Sequence, residues 1–370
     1  MKIYLYCITS CLLVIAACDN PIALKHKGTT IATKPIKAKS THIAHDTISI
    51  AAVGDIMMGT SYPNNVNLPP DSGKNSFKAV LKELQQADIT FGNLEGTLLE
   101  GGHPADYKKK MANPYYFRMP PAYAGILKEA GFDIVSLANN HVGDFGEHGR
   151  ISTTKVLDSI GIRYAGLLTQ PTIVFKSGGI TYGFCAFAPN ANTVPITDLK
   201  NAAAIISNLK KQVNIVIVSF HGGGEGLGFE HVPFKMESFM RQKRGDVHAF
   251  AHNAIDAGAD VIFGNGPHVT RALEVYNKRL IAYSLGNFCT YKSVSVAGVC
   301  GIAPLLKVFL NKKGEFLNGR IIPIKQTHLN GLECDSTSKI ITRIKMLTET
   351  DFPRSGLNIA DDGIITVTQQ

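Results

Sequence analysis

The chain has 370 residues, of which 45% are hydrophobic and 18% charged, and carries a formal net charge of +9. That is enough apolar surface for one large domain or two ordinary ones, and it excludes a disordered chain. Basic residues are scattered and tryptophan is absent, so nothing interleaves base-stacking rings with positive charge and no nucleic-acid partner is expected; the positive balance suits an acidic polymer or an anionic lipid surface.

In chain order, Met1-Lys2 precedes an apolar stretch over residues 3–17. It falls short of the ~20 residues a transmembrane helix needs but suits a signal-peptide core. Ile15-Ala16-Ala17-Cys18 resembles the bacterial lipobox, in which the cysteine is lipidated and opens the mature chain. The plain alternative is an ordinary signal peptide or short anchor that happens to carry a cysteine. Acylated at Cys18, the protein would be held on a membrane of the cell envelope, on its periplasmic or extracellular face. Residues 18–47 are polar and carry Lys25, Lys27, Lys34, Lys37 and Lys39 without an apolar period. They are expected to form a tether.

Order is predicted from residue 48. The run 48–53 reads as a buried strand, and 77–84 has apolar residues at helical spacing. A strand at 89–91, a helix at 122–130 stopped by Gly131, a strand at 132–137 and a helix at 152–160 closed by Gly161 follow. Strands are predicted at 180–187 and 213–220, a helix at 247–257 ending at Gly258, and strands at 261–263, 280–285 and 304–310. Alternating strands and helices imply a layered α/β domain over 48–325. Residues 326–370 read as a small C-terminal extension packing on it, with a helix at 339–348 and a strand at 364–367. Cys185, Cys289, Cys300 and Cys334 show no CxxC spacing, which argues against a zinc knuckle. In an oxidising compartment Cys289 and Cys300 can bridge; otherwise they are buried free thiols.

Polar residues capable of chemistry recur at the ends of the predicted strands: Gly54-Asp55, Gly92-Asn93-Leu94-Glu95, Asn139-Asn140-His141 with Asp144, His221-Gly222-Gly223-Gly224-Glu225, Gly264-Asn265-Gly266-Pro267-His268, and Ser284-Leu285-Gly286-Asn287-Phe288. In open α/β sheets that edge is where ligands bind. A single strand-end Asp beside Gly is usually a turn residue, and a lone histidine is usually structural. Carboxylates, amide oxygens and imidazoles recurring together form a ligand set for Mn²⁺, Fe²⁺ or Zn²⁺. Gly222-Gly223-Gly224 lacks the Lys and Ser/Thr of a P-loop, so nucleotide binding is not expected. Arg241, Lys243 and Arg244 form either an anion contact or a solvated basic loop. Ser219 lies inside a strand run rather than on a nucleophile elbow.

The succession GD, GNLE, ANNHxxDxG, HGG, GxGPHV and SLGNF resembles the CapA family, associated with poly-γ-glutamate capsules, within the calcineurin-like metallophosphatase superfamily. The resemblance covers about residues 48–323 and implies a layered α/β/β/α sandwich with two divalent metal sites. By position it implies Asp55, Glu95, Asn140, His221 and His268 as metal ligands, with Glu95 supplying the bridging carboxylate. It implies His141 as the acid that protonates a leaving group and Asp144 as the residue orienting its ring. Asn265 is implied as a weaker metal contact; Glu225 is a candidate substrate contact, and Asn287 either closes the site or is a strand-end turn residue. Two departures stand out: Met57 and Asn265 occupy positions where superfamily relatives usually carry histidine, which weakens one of the two metal sites. The implied function is poly-γ-glutamate synthesis, export or processing at a membrane, in a capsule-synthesis complex. The alternatives are a non-catalytic accessory lipoprotein and a metal-dependent phosphoesterase of another substrate.

Overall fold

The computed structural model describes residues 46–111, 114–328 and 331–368; Cys18 and the expected signal peptide and tether up to residue 45 lie outside them.

Strand Thr47–Met57 shows how the layers arise. Ile48, Ile50 and Ala52 point into one core and Ala51 and Val53 into another. Both faces of the strand are covered, which is why it reads as a continuous apolar run. It lies within a ten-stranded sheet in the order Leu357–Ile359, Ile364–Val367, Phe316–Thr327, Ile302–Asn311, Thr47–Met57, Ile89–Leu94, Ile134–Ser136, Arg163–Ala165. Asn287–Thr290 also pairs with Thr47–Met57, and Gly331–Cys334 with Phe316–Thr327. The half from Thr47–Met57 to Arg163–Ala165 is parallel, and the half reached through Ile302–Asn311 is antiparallel. Phe316–Thr327 runs without a break through residues 325 and 326, and the strands after it extend this same sheet.

A six-stranded sheet faces it, ordered Leu273–Tyr276, Arg279–Ala282, Val261–Asn265, Ile215–His221, Ile180–Phe187, Thr172–Ser177, with parallel inner strands and antiparallel edges. The inner faces meet in one core, where Phe91 and Phe263 stack with centroids 5.2 Å apart. Leu84, Leu127 and Leu157, from helices Leu81–Gln85, Tyr123–Ala130 and Gly146–Ile160, cover the outer face of the first sheet. Ile206 and Phe250, from helices Leu199–Lys210 and Val247–Asp256, cover the outer face of the second. Helix Lys339–Asp351 adds Ile340, Ile341 and Ile344 to the inter-sheet core. The architecture is the layered α/β/β/α sandwich expected.

Two differences from expectation stand out. Helix Leu199–Lys210 was not predicted, although Asp198 caps it by accepting from Asn201 N at 3.0 Å and Ala202, Ile206 and Leu209 form its buried face. Cys289 and Cys300 are buried free thiols, so the bridge allowed by the sequence is not formed.

Candidate metal centre

The polar clusters meet where the parallel strands end, and a backbone crossing brings the two sheets together there. The strand predicted over 280–285 stops at Ala282, and residues 283–286 carry the chain from the second sheet to the first. Asn287 therefore opens a strand instead of following one. The crossing lies so close to Thr47–Met57 that a Cβ on Gly54 would sit 1.9 Å from the Gly286 carbonyl oxygen. With glycine there, Asp55 N donates to that oxygen at 2.9 Å, which places the Asp55 carboxylate at the sheet edge.

Asp55, Glu95 and His268 each present a donor atom within 4.8 Å of the others. His268 Nδ1 lies 3.0 Å from both Asp55 Oδ2 and Asn287 Oδ1, and its Nε2 is 3.7 Å from Glu95 Oε1. His268 holds this pose at a φ of 57°, left-handed backbone that side-chain-bearing residues seldom adopt. Asn93 Nδ2 donates to Asp55 Oδ1 at 2.8 Å, and Asn139 Nδ2 donates to Asn93 Oδ1 and the Leu94 carbonyl, linking three strand ends. His221 and Asn265 close adjacent parallel strands in register, and the His221 and His268 rings are 6.3 Å apart. Asn140, His141, Glu225 and His268 line one cavity of about 770 Å³.

His141 is fixed on every side but one. Its Nδ1 lies 2.8 Å from Asp144 Oδ2, its backbone N–H donates to Asn139 Oδ1, and its ring stacks on Phe117 with centroids 4.0 Å apart. Asp144 in turn accepts from Phe117 N and pairs with the buried Lys108 Nζ at 2.6 Å. Asp144 therefore holds the Nδ1 proton, and Nε2 faces the centre, 4.0 Å from Glu95 Oε1.

The glycine run does not form an anion cradle. Gly222 N donates to Asn265 O, Gly223 N to Arg244 O and Gly224 N to Glu237 Oε1. Glu237 is clamped by two hydrogen bonds from Arg271. Of the basic trio, Arg241 and Lys243 are exposed, as a solvated loop requires. Arg244 is buried, donates to Gly223 O and pairs with Glu225 Oε1 at 2.8 Å.

The electrostatics reflect crowded, desolvated charge. Burial, reinforced by Asp55, pushes the Glu95 carboxyl well above the usual carboxylate range. Burial acts to lower His268, but Glu95 and Asp55 outweigh it and raise the imidazole to about 10. Burial, with Arg244 second, holds His221 well below the usual imidazole value, and burial also lowers His141 against the pull of Asp144.

Buried donor atoms test whether these residues fit a cation. Glu95 Oε1, Asn140 Oδ1, Asn265 Oδ1 and both ring nitrogens of His221 are buried without a hydrogen-bond partner. Each such atom costs about 1–3 kcal/mol if left unmet. Their concentration at one sheet edge, beside the Asp55–Glu95–His268 group, fits divalent metal. Every implied site residue thus lies at this edge. Asn93 and Asn139, named within the strand-end clusters, link the strand ends here, and Lys108 and Phe117 also serve the centre without having been singled out. Lys108 sits in a lysine run that reads as a solvated face, and no local signal marks Phe117.

The molecule is a two-sheet α/β/β/α protein with a carboxylate, amide and imidazole centre at its strand ends. It belongs to the bacterial capsule synthesis protein PGA_cap family, whose profile matches residues 49–292. It is similar to the PGA biosynthesis protein CapA of Bacillus subtilis, at 32% identity over 66% of this chain and 63% of that protein. The capsule biosynthesis protein CapA of Bacillus anthracis is 29% identical over 70% of this chain and 62% of that protein. The matches thus span less than two thirds of either relative. Among solved structures, a 5′-nucleotidase precursor from Thermus thermophilus aligns with a TM-score of 0.43 at 13% identity, covering 80% of this chain and 57% of that one.

Proposed function

We propose that the protein acts in poly-γ-glutamate capsule synthesis, export or processing as a divalent-metal-dependent hydrolase, held on a membrane through Cys18. The observation that carries the metal reading is the set of buried, unpartnered donor atoms at the strand ends. Asp55, Glu95 and His268 would hold one ion, and Glu95, Asn140 and His221 a second, with Asn265 and Asn287 as weaker neighbours. The donor mixture suits Mn²⁺, Fe²⁺ or Zn²⁺. Held by these residues, divalent ions would supply polarisation of the scissile group and activation of water at neutral pH.

The chain's own residues do the rest. Glu95 Oε1 is 3.7 Å from His268 Nε2 and 4.0 Å from His141 Nε2, close enough to both for Glu95 to serve as the carboxylate shared by the ions. Asp144, held by Lys108 and Phe117 N, fixes the His141 ring with Nε2 toward the centre; as imidazolium the ring would give its Nε2 proton to the leaving group and keep the one on Nδ1. Phe117 and Tyr107 line the cavity beside His141. The family and the CapA relatives support the polymer and the capsule machinery as partners, and the basic balance of the chain suits a polycarboxylate.

A form beginning at residue 46, supplied with Mn²⁺, is expected to cleave poly-γ-glutamate or a phosphodiester. His141→Ala should lower turnover about 10²–10⁴-fold with metal content unchanged, and Asp55→Ala should lose metal and turnover together. Full activity in His141→Ala removes the proton role. Met57 and Asn265, in place of imidazole ligands, favour a second reading, a non-catalytic accessory lipoprotein. Stoichiometric metal without turnover of either substrate would select it.

A further inference from the structure

A second cluster of ligand-type side chains lies on the outer face of the six-stranded sheet. Helix Val247–Asp256 starts at Asp246, whose side chain accepts from Ala249 N at 2.9 Å. The helix buries Val247, Phe250, Ala251 and Ala254 against the sheet. His248 and His252, four residues apart, share one face of it, with ring centroids 4.1 Å apart. On the edge strand Leu273–Tyr276, Leu273 faces the inter-sheet core, so its neighbour Glu274 faces the helix. His252 Nε2 lies 3.0 Å from both Glu274 oxygens. One donor atom from each of the three residues falls within 4.8 Å of the others.

The surroundings hold these side chains in place. The buried Tyr283 hydroxyl donates to Glu274 Oε2 at 2.7 Å and fixes the carboxylate against His252. Tyr276 stacks on His252 at 3.7 Å, and Phe234 packs on His248 at 4.3 Å. Burial, then His252, lowers His248 below the usual imidazole value. An ion pair that merely staples the helix to the strand needs His252 and Glu274 alone; the second imidazole adds nothing to it. None of the three lines the central cavity.

We propose that His248, His252 and Glu274 form a zinc site, distinct from the strand-end centre, that clamps helix Val247–Asp256 to the edge strand. Two imidazoles and one carboxylate are an established zinc ligand set, with water in the fourth position. The carboxylate–tyrosine hydrogen bond is the kind of outer support that orients such ligands. Zinc would replace the hydrogen bond between His252 and Glu274, binding His252 as a neutral imidazole through one ring nitrogen while the ring proton sits on the other. Bond lengths are about 2.0–2.2 Å in such a site, and the three donor atoms here already lie within 4.8 Å of one another.

The site is tested on the full chain. A crystal soaked in zinc chloride should show an anomalous peak at the zinc edge between the three side chains, whatever the occupancy of the central centre. His248→Gln should erase that peak and remove one zinc equivalent by elemental analysis, with on the order of tenfold weaker retention against a chelator. It should also shrink the rise in Tm on adding zinc. Glu274→Gln, which keeps an acceptor for Tyr283, serves as the second variant should His248→Gln fail to fold. The absence of a peak there, or equal zinc equivalents in wild type and either variant, would overturn the proposal.

Discussion

The inter-sheet core and the strand-end centre are built from the same strands a few residues apart. Along Thr47–Met57, Ile50 and Ala52 pack between the sheets and Asp55 enters the centre. Along Ile215–His221 the change is from Ile217 to His221, and along Val261–Asn265 from Phe263 to Asn265. Both regions are almost sealed from solvent. The core is complete in itself, because apolar atoms need only close neighbours. The centre is incomplete, because its buried oxygens and nitrogens need partners the chain does not supply. Burial alone therefore does not separate scaffold from site in this fold; the gathering of several unmet oxygens and nitrogens at one sheet edge does.

Substitutions should act oppositely in the two regions. The largest effect belongs to the core. Phe91→Ala removes the ring stacked on Phe263 and should cost about 3–5 kcal/mol, read as a lower urea midpoint with metal content unchanged. A loss of metal without a loss of stability would blur the division. Next comes metal itself. Mn²⁺ at a hundredfold excess over its Kd should stabilise wild type by about 2.7 kcal/mol, an increment that EDTA reverses and Glu95→Gln lacks. An equal rise in Tm in both proteins would mean that Glu95 holds no ion. The smallest effect has the opposite sign. His221→Leu replaces two unpartnered ring nitrogens with an apolar side chain and should stabilise the metal-free protein by about 1 kcal/mol while weakening metal retention. Destabilisation of the metal-free form would show that His221 has a structural partner.

How much was legible follows from the range of each interaction. Strands Ile180–Phe187 and Ile364–Val367 match the predicted limits, and helix stops at Gly131 and Gly161 fall where expected, because both carry left-handed backbone. The Asp, Glu, Asn and His residues at strand ends were visible as a set, since each follows its own apolar run, and the motif succession identified the family. Local pattern alone thus determined the layered α/β class and which residues compete for the centre.

Only the tertiary structure decided how they meet. Gly54 and Gly286 are far apart in the chain, yet their contact lets Asp55 face His268. Lys108 is a surface residue by its lysine-rich neighbourhood and a buried partner of Asp144 in the fold. The three glycines after His221 look open to an anion until long-range bonds to Asn265, Arg244 and Glu237 engage their N–H groups. His248 and His252 were unremarkable in the sequence until an edge strand placed Glu274 beside them. In each case the chemistry depends on a partner brought close by sheet and helix packing, and periodicity along the chain carries no information about which distant residue that will be.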